Sequence, residues 1–117
     1  VADTVTKETL PQAVAFAKAF AKEGIKICIP TAENQQAVMD VIYKGVKAGN
    51  YSLDLTGFYA AMEEVFAAGA ETLVLGCTEL PVAFDMFRIE KPHIDPTLIL
   101  AAAAVKFVGG KLKTNAL

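Results

Sequence analysis

Apolar positions change their spacing repeatedly along this chain, and each change predicts an element. Val1 to Val5 is read as a short, weak first strand, and Pro11 sits where a first helical turn can begin. From there Val14, Phe16, Ala17, Phe20 and Ala21 recur at helical spacing until Gly24. Ile25 to Ile29 is a β-branched run bounded by Gly24 and Pro30, the mark of a buried parallel strand. Thr31 can cap a second helix whose face is Val38, Met39, Val41, Ile42 and Val46, ending at Gly49.

Ser52 or Asp54 caps a third helix, with Leu55, Phe58, Tyr59, Met62, Val65 and Phe66 on its apolar face and Gly69 at its end. Thr72 to Leu75 then reads as a strand, Pro81 to Phe84 as a short helical turn, and Asp85 to Pro92 as irregular. A brief strand at His93 and Ile94 precedes a last helix, capped by Asp95 or Thr97 and running through Leu98 to Val108. Strands alternating with helices predict an α/β domain, with a four-stranded parallel sheet flanked by helices and right-handed crossovers.

Such sheets bind ligands beyond the carboxyl ends of their strands. By that rule Thr6 and Thr9, Pro30 to Asn34, Cys77 to Glu79, and Asp95 to Thr97 line one edge. Composition narrows what that edge can meet. Of 117 residues 54% are hydrophobic and 21% charged, and the mean hydropathy of +0.40 is high for a soluble domain, so some apolar surface is expected to be covered by another domain or subunit. A net charge of −2 without a basic stripe excludes nucleic acid as a partner. The longest uncharged stretch, Pro96 to Val105, is far below the roughly 18–20 residues of a membrane span, and the chain reads as cytoplasmic. Cys28 and Cys77 fit neither a disulfide framework nor a CxxC pair, and a single His cannot complete a zinc site, so reduced thiols and no metal are expected.

Cys77 has two readings. Free cysteine is often inert core, but this one follows Gly76 at a strand's carboxyl end and precedes a helical turn, where backbone N–H groups of residues 78–80 would favour a thiolate. Thr78 can hold a carboxylate together with those amides, or it can simply cap the turn. Glu79 can complement the helix dipole or orient an amino group of a ligand, although a carboxylate opposes a thiolate beside it. Cys28, between isoleucines, reads as core packing. His93 reads as structural, and Lys44 and Lys47 as surface lysines near a helix C-terminus.

The run Glu71-Thr72-Leu73-Val74-Leu75-Gly76-Cys77-Thr78-Glu79-Leu80-Pro81, followed by His93-Ile94-Asp95-Pro96-Thr97 and an alanine-rich helix, resembles the carboxyl-terminal half of the aspartate/glutamate racemase superfamily. Thr6-x-x-Thr9, Gly24 to Pro30, Gln36, Val38-Met39 and Ile42-Tyr43 agree in order and spacing. The resemblance implies a cofactor-independent amino-acid racemase of two pseudo-symmetric α/β domains, each giving one cysteine to opposite faces of the substrate's α-carbon. It implies that Cys77 is the second cysteine, that Thr78 binds the α-carboxylate, and that Lys47 binds a distal carboxylate. Glu79, Thr6 and Thr9 are further expected substrate contacts.

On this reading residues 1–117 are the second domain with a closing helix, 96–111, that packs toward a first domain not contained in them. The chain alone is then expected to be inactive, its partners being the amino-acid substrate, the missing domain and a second copy as a homodimer. A decarboxylase, a hydantoin racemase or a cis–trans isomerase of the same superfamily, and a non-catalytic ligand-binding domain, are the alternatives.

Overall fold

The computed structural model describes residues 17–113. The expected strand at Val1–Val5, and Thr6 and Thr9, lie outside the described residues. The chain divides into two compact units, one ending at Glu71 and the other beginning at Thr72.

In the first unit, residues 17–22 are helical and are followed by α1 (Ala32–Asp40), a π-helical segment (Val41–Val46) and α2 (Thr56–Ala67). Phe58, Ala61, Met62 and Val65 fall at i, i+3, i+4 and i+7, so one face of α2 is buried, and Val41 and Ile42 are buried with it. Each large side chain among them contributes roughly 1.5–3 kcal/mol by leaving water. Helices α1 and α2 approach closely at Gly57, where an added Cβ would stand 2.9 Å from the Ala37 Cβ. Asp54 prepares the start of α2 by accepting from the Thr56 N–H at 2.9 Å and the Thr56 hydroxyl at 2.7 Å. Those bonds, the hydroxyl's first, hold the Asp54 carboxyl below its ordinary range.

Three expectations for this unit are corrected. Residues 25–30 carry no regular secondary structure, and Ile25, Ile27 and Ile29 are 51%, 39% and 37% exposed, because no described strand pairs with them to bury the run. Cys28 is accordingly exposed, its thiol 4.0 Å from the Ala68 carbonyl oxygen, and not core. Thr31 stands at the N-cap position of α1 but makes no side-chain capping bond. Its N–H and hydroxyl instead donate to Glu64 of α2, whose oxygens lie 3.1 and 3.2 Å from the nitrogen and 3.3 Å from the hydroxyl.

The second unit contains β1 (Leu73–Val74), α3 (Glu79–Met86), β2 (His93–Ile94) and α4 (Pro96–Phe107). The strands run parallel, with Leu73 opposite His93 and Val74 opposite Ile94. Among the described residues the sheet therefore has two strands and not the four expected. Leu75, Ala83, Phe84, Ile89 and Ala102 are buried. Asp95 caps α4 as predicted, its Oδ1 accepting from the Thr97 and Leu98 N–H groups at 2.9 and 3.2 Å, with Pro96 at the first helical position.

Helix ends share one closure, in which two N–H groups reach back into the last turn around a residue of positive φ. At α2 that residue is Gly69, while at α3 it is Arg88, at φ 52°. Helix α4 buries only Ala102, leaving Leu100 and Phe107 71% and 90% exposed. No helix among the described residues is long and apolar enough to cross a membrane.

Candidate functional site

The parallel register brings two strand ends to one edge of the second unit. Three residues beyond Val74 stands Cys77, and three beyond its partner Ile94 stands Thr97. Both strands feed directly into a helix start, α3 on one side and α4 on the other. Cys77 is half-buried, Thr78 exposed and Glu79 half-buried. The helix beginning at Glu79 starts two residues earlier than the predicted turn and extends to Met86, so Thr78 is the N-cap residue and Glu79 the first residue inside. The residues Asp85 and Met86, expected to be irregular, are its last turn. Cys77 thus immediately precedes the N-cap of a full helix, where unpaired N–H groups and the positive dipole end favour an anion.

The two helix starts on this edge differ in one respect. The side chain of Asp95 is committed to the first turn of α4, whereas α3 has no side-chain cap. The Thr78 hydroxyl points instead to Glu79, donating to its Oε2 at 3.0 Å. The bland expectation that Thr78 caps its own helix therefore does not hold. A ligand carboxylate, the partner expected of that hydroxyl, would compete with Glu79 for its one proton. The backbone amides at the start of α3 keep the capacity to bind it.

His93 lies on β2, its ring edge-on to Phe84 with centroids 4.7 Å apart at 64°. Its Nδ1 is 2.8 Å from the Lys91 carbonyl oxygen, so Nδ1 carries the proton and donates. That is the structural role expected of it.

Lys47 belongs to the first unit, where it follows the π-helical segment and its N–H bonds the Ile42 carbonyl at 2.9 Å. Its Nζ stands 4.9 Å from the centroid of the Tyr43 ring, a cation–π contact of about 0.5–1 kcal/mol at an exposed site. The i, i+4 spacing of Tyr43 and Lys47 was the signal for that pairing, as it was for the 3.1 Å ion pair between Asp40 and Lys44. Lys44 and then Gln36 hold the Asp40 carboxyl below its ordinary range. A cavity of about 260 Å³ in the first unit is lined by Asp40, Lys44, Asp54 and Phe58 among others, and none of the predicted site residues lines it.

Of the predicted site, then, the structure brings Cys77, Thr78 and Glu79 together at one helix start and puts Lys47 on Tyr43 in the other unit. Sequence reasoning missed Glu64, which accepts from Thr31 and, at 2.5 Å, from Asn34 Nδ2. Thirty-three residues separate Glu64 from Thr31, and no local spacing signals such a bond. A two-residue parallel ladder feeding a cysteine into a helix start agrees with the motif that carried the family resemblance. The sequence model of the Asp/Glu/hydantoin racemase family matches residues 5–104, and the chain belongs to that family of isomerases.

Proposed function

We propose that this chain supplies one of the two thiols of a cofactor-independent amino-acid racemase acting on aspartate or glutamate. Inversion at a carbon needs a base on one face and an acid on the other, and two like groups serve both enantiomers. In this reading the Cys77 thiolate takes the α-proton onto Sγ, the electron pair left on carbon delocalises into the α-carboxylate, and a thiol on the opposite face returns a proton. The amides at the start of α3 hold the α-carboxylate, and Lys47 holds the distal one. Thr6 and Thr9 are assigned to substrate contacts, and the second thiol to a further domain.

The observation that carries the reading is Cys77 at a strand's carboxyl end, directly before a helix start without a side-chain cap, within the segment matched to the family. A hydantoin racemase is the second reading, since the family's description includes that substrate.

Isolated chain incubated with L- or D-aspartate in deuterium oxide tests the proposal. The expected outcome is deuterium at Cα of one enantiomer without inversion, abolished by Cys77→Ala and retained in Cys28→Ala. Interconversion of the enantiomers by the chain alone, or exchange surviving in Cys77→Ala, would overturn it.

A further inference from the structure

We propose that Tyr43 is a positioning residue for Lys47, its ring holding the ammonium on the solvent face of the π-helical segment before a carboxylate reaches it. The inference rests on the reading of Lys47 as the anchor of the distal carboxylate and deepens it. Val41, Ile42 and Gly45 are buried, which turns Tyr43 and Lys47 outward, and both are exposed. The Lys47 backbone is fixed by the bond of its N–H to the Ile42 carbonyl at 2.9 Å, the i, i+5 closure of a π turn. Its side chain then reaches back along the segment and places Nζ 4.9 Å from the Tyr43 ring centroid.

A lysine is a point charge on a flexible aliphatic stem, and much of its rotamer freedom is lost when it binds an anion. A ring that holds the ammonium beforehand removes part of that loss, which is preorganisation and not a new contact with substrate. The ring attracts a cation through its quadrupole and cancels none of its charge. Lys44 shows the other arrangement, its Nζ paired with an Asp40 oxygen at 3.1 Å. The contact with Lys47 depends on the face of the Tyr43 ring and not on its hydroxyl, so phenylalanine can replace it and an aliphatic residue cannot.

The test is α-proton exchange in deuterium oxide of the aspartate enantiomer that the full chain accepts, read as KM and as turnover at saturation. Tyr43→Leu should raise KM about two- to fivefold, the weight of one exposed cation–π contact, and leave turnover at saturation unchanged. Tyr43→Phe should keep the wild-type KM, and Lys44→Ala should not move it. Lys47→Ala should raise KM further, and Tyr43→Leu added to it should then change nothing. Exchange of alanine of the same configuration, which has no distal carboxylate, should be equal in wild type and Tyr43→Leu, which also shows that the variant is folded. In proton NMR of the free chain, the ring current should move the Lys47 ε-methylene upfield in wild type and Tyr43→Phe but not in Tyr43→Leu.

A KM indifferent to Tyr43→Leu, Tyr43→Phe as impaired as Tyr43→Leu, or an unshifted methylene in the wild type would overturn the positioning role and leave Lys47 as proposed. So would a further loss when Tyr43→Leu is added to Lys47→Ala. A KM unmoved by Lys47→Ala would remove Lys47 from the site, and the role of Tyr43 with it, while Cys77 stands. A wild-type chain that exchanges nothing overturns all three assignments.

Discussion

Arg88 shows how a single residue carries strain that its neighbours require. Its φ of 52° lets the Arg88 N–H reach the Asp85 carbonyl at 3.2 Å and the Ile89 N–H reach that of Phe84 at 2.8 Å, while Ile89 and Phe84 are both buried. For an L-residue the left-handed conformation costs about 1–2 kcal/mol, which glycine avoids. Glycine also loses roughly 0.4–1 kcal/mol more through the freedom of the unfolded chain. The difference favours the substitution, so Arg88→Gly should raise stability by about 0.5–1 kcal/mol in urea denaturation. A destabilised variant would mean that the guanidinium contributes more than the backbone strain removes.

The first unit depends on how α2 grips α1. Glu64 provides the polar half of that grip: Asn34, followed by the Thr31 N–H and hydroxyl, keeps its carboxyl below the ordinary value of 4.5. A depressed carboxyl contributes stability that is complete above its unfolded pKa and is lost as pH falls through the lower folded one. Thermal melts of the wild type should therefore fall on acidification below about pH 4.5, and Glu64→Gln should melt lower at neutral pH and fall less. Asp40 and Asp54, also depressed, keep a residual acid slope in that variant. An unchanged acid limb in Glu64→Gln would show that the bonds to Glu64 contribute nothing.

The apolar half of the grip is Gly57. A methyl there meets the Ala37 Cβ at 2.9 Å, a distance that forces the helices apart, so Gly57→Ala should cost about 1–3 kcal/mol in spite of alanine's better helix propensity. A neutral or stabilising result would mean that the pair yields without loss.

At the scale of the whole molecule, what could be read from the chain was what is decided locally. Asp95-Pro96 announces a helix start within three residues, and the contiguous Gly76-Cys77-Thr78-Glu79 kept its place at a strand end because strand, turn and helix are adjacent in sequence. What went unread depended on partners. Ile25 to Ile29 has the composition of a buried strand, yet a strand is completed by neighbours, and no described residue pairs with it. The π-helical turns from Val41 to Val46 bury Val41, Ile42 and Gly45 where an ordinary helix was expected, because hydrophobic spacing alone separates the two forms poorly. The exposed Leu100 and Phe107 on α4 follow the same rule in reverse: their composition was legible, and their exposure is a property of the surroundings.

The brevity of the two-residue ladder makes it a clock for the site. The Leu73 N–H bonds the Pro92 carbonyl at 2.9 Å and the Leu75 N–H that of Ile94 at 3.0 Å, immediately behind the edge where Cys77 and Thr97 stand. Amides held by so short a pairing open by local fluctuation and exchange with solvent readily, unless something ties the edge together. A ligand that binds only the closed edge slows that opening in proportion to its occupancy, by a factor of one plus its concentration over its dissociation constant. Exchange at Leu73 and Leu75 should therefore slow as substrate is added. It measures affinity without turnover, and rates indifferent to a saturating ligand would place binding elsewhere.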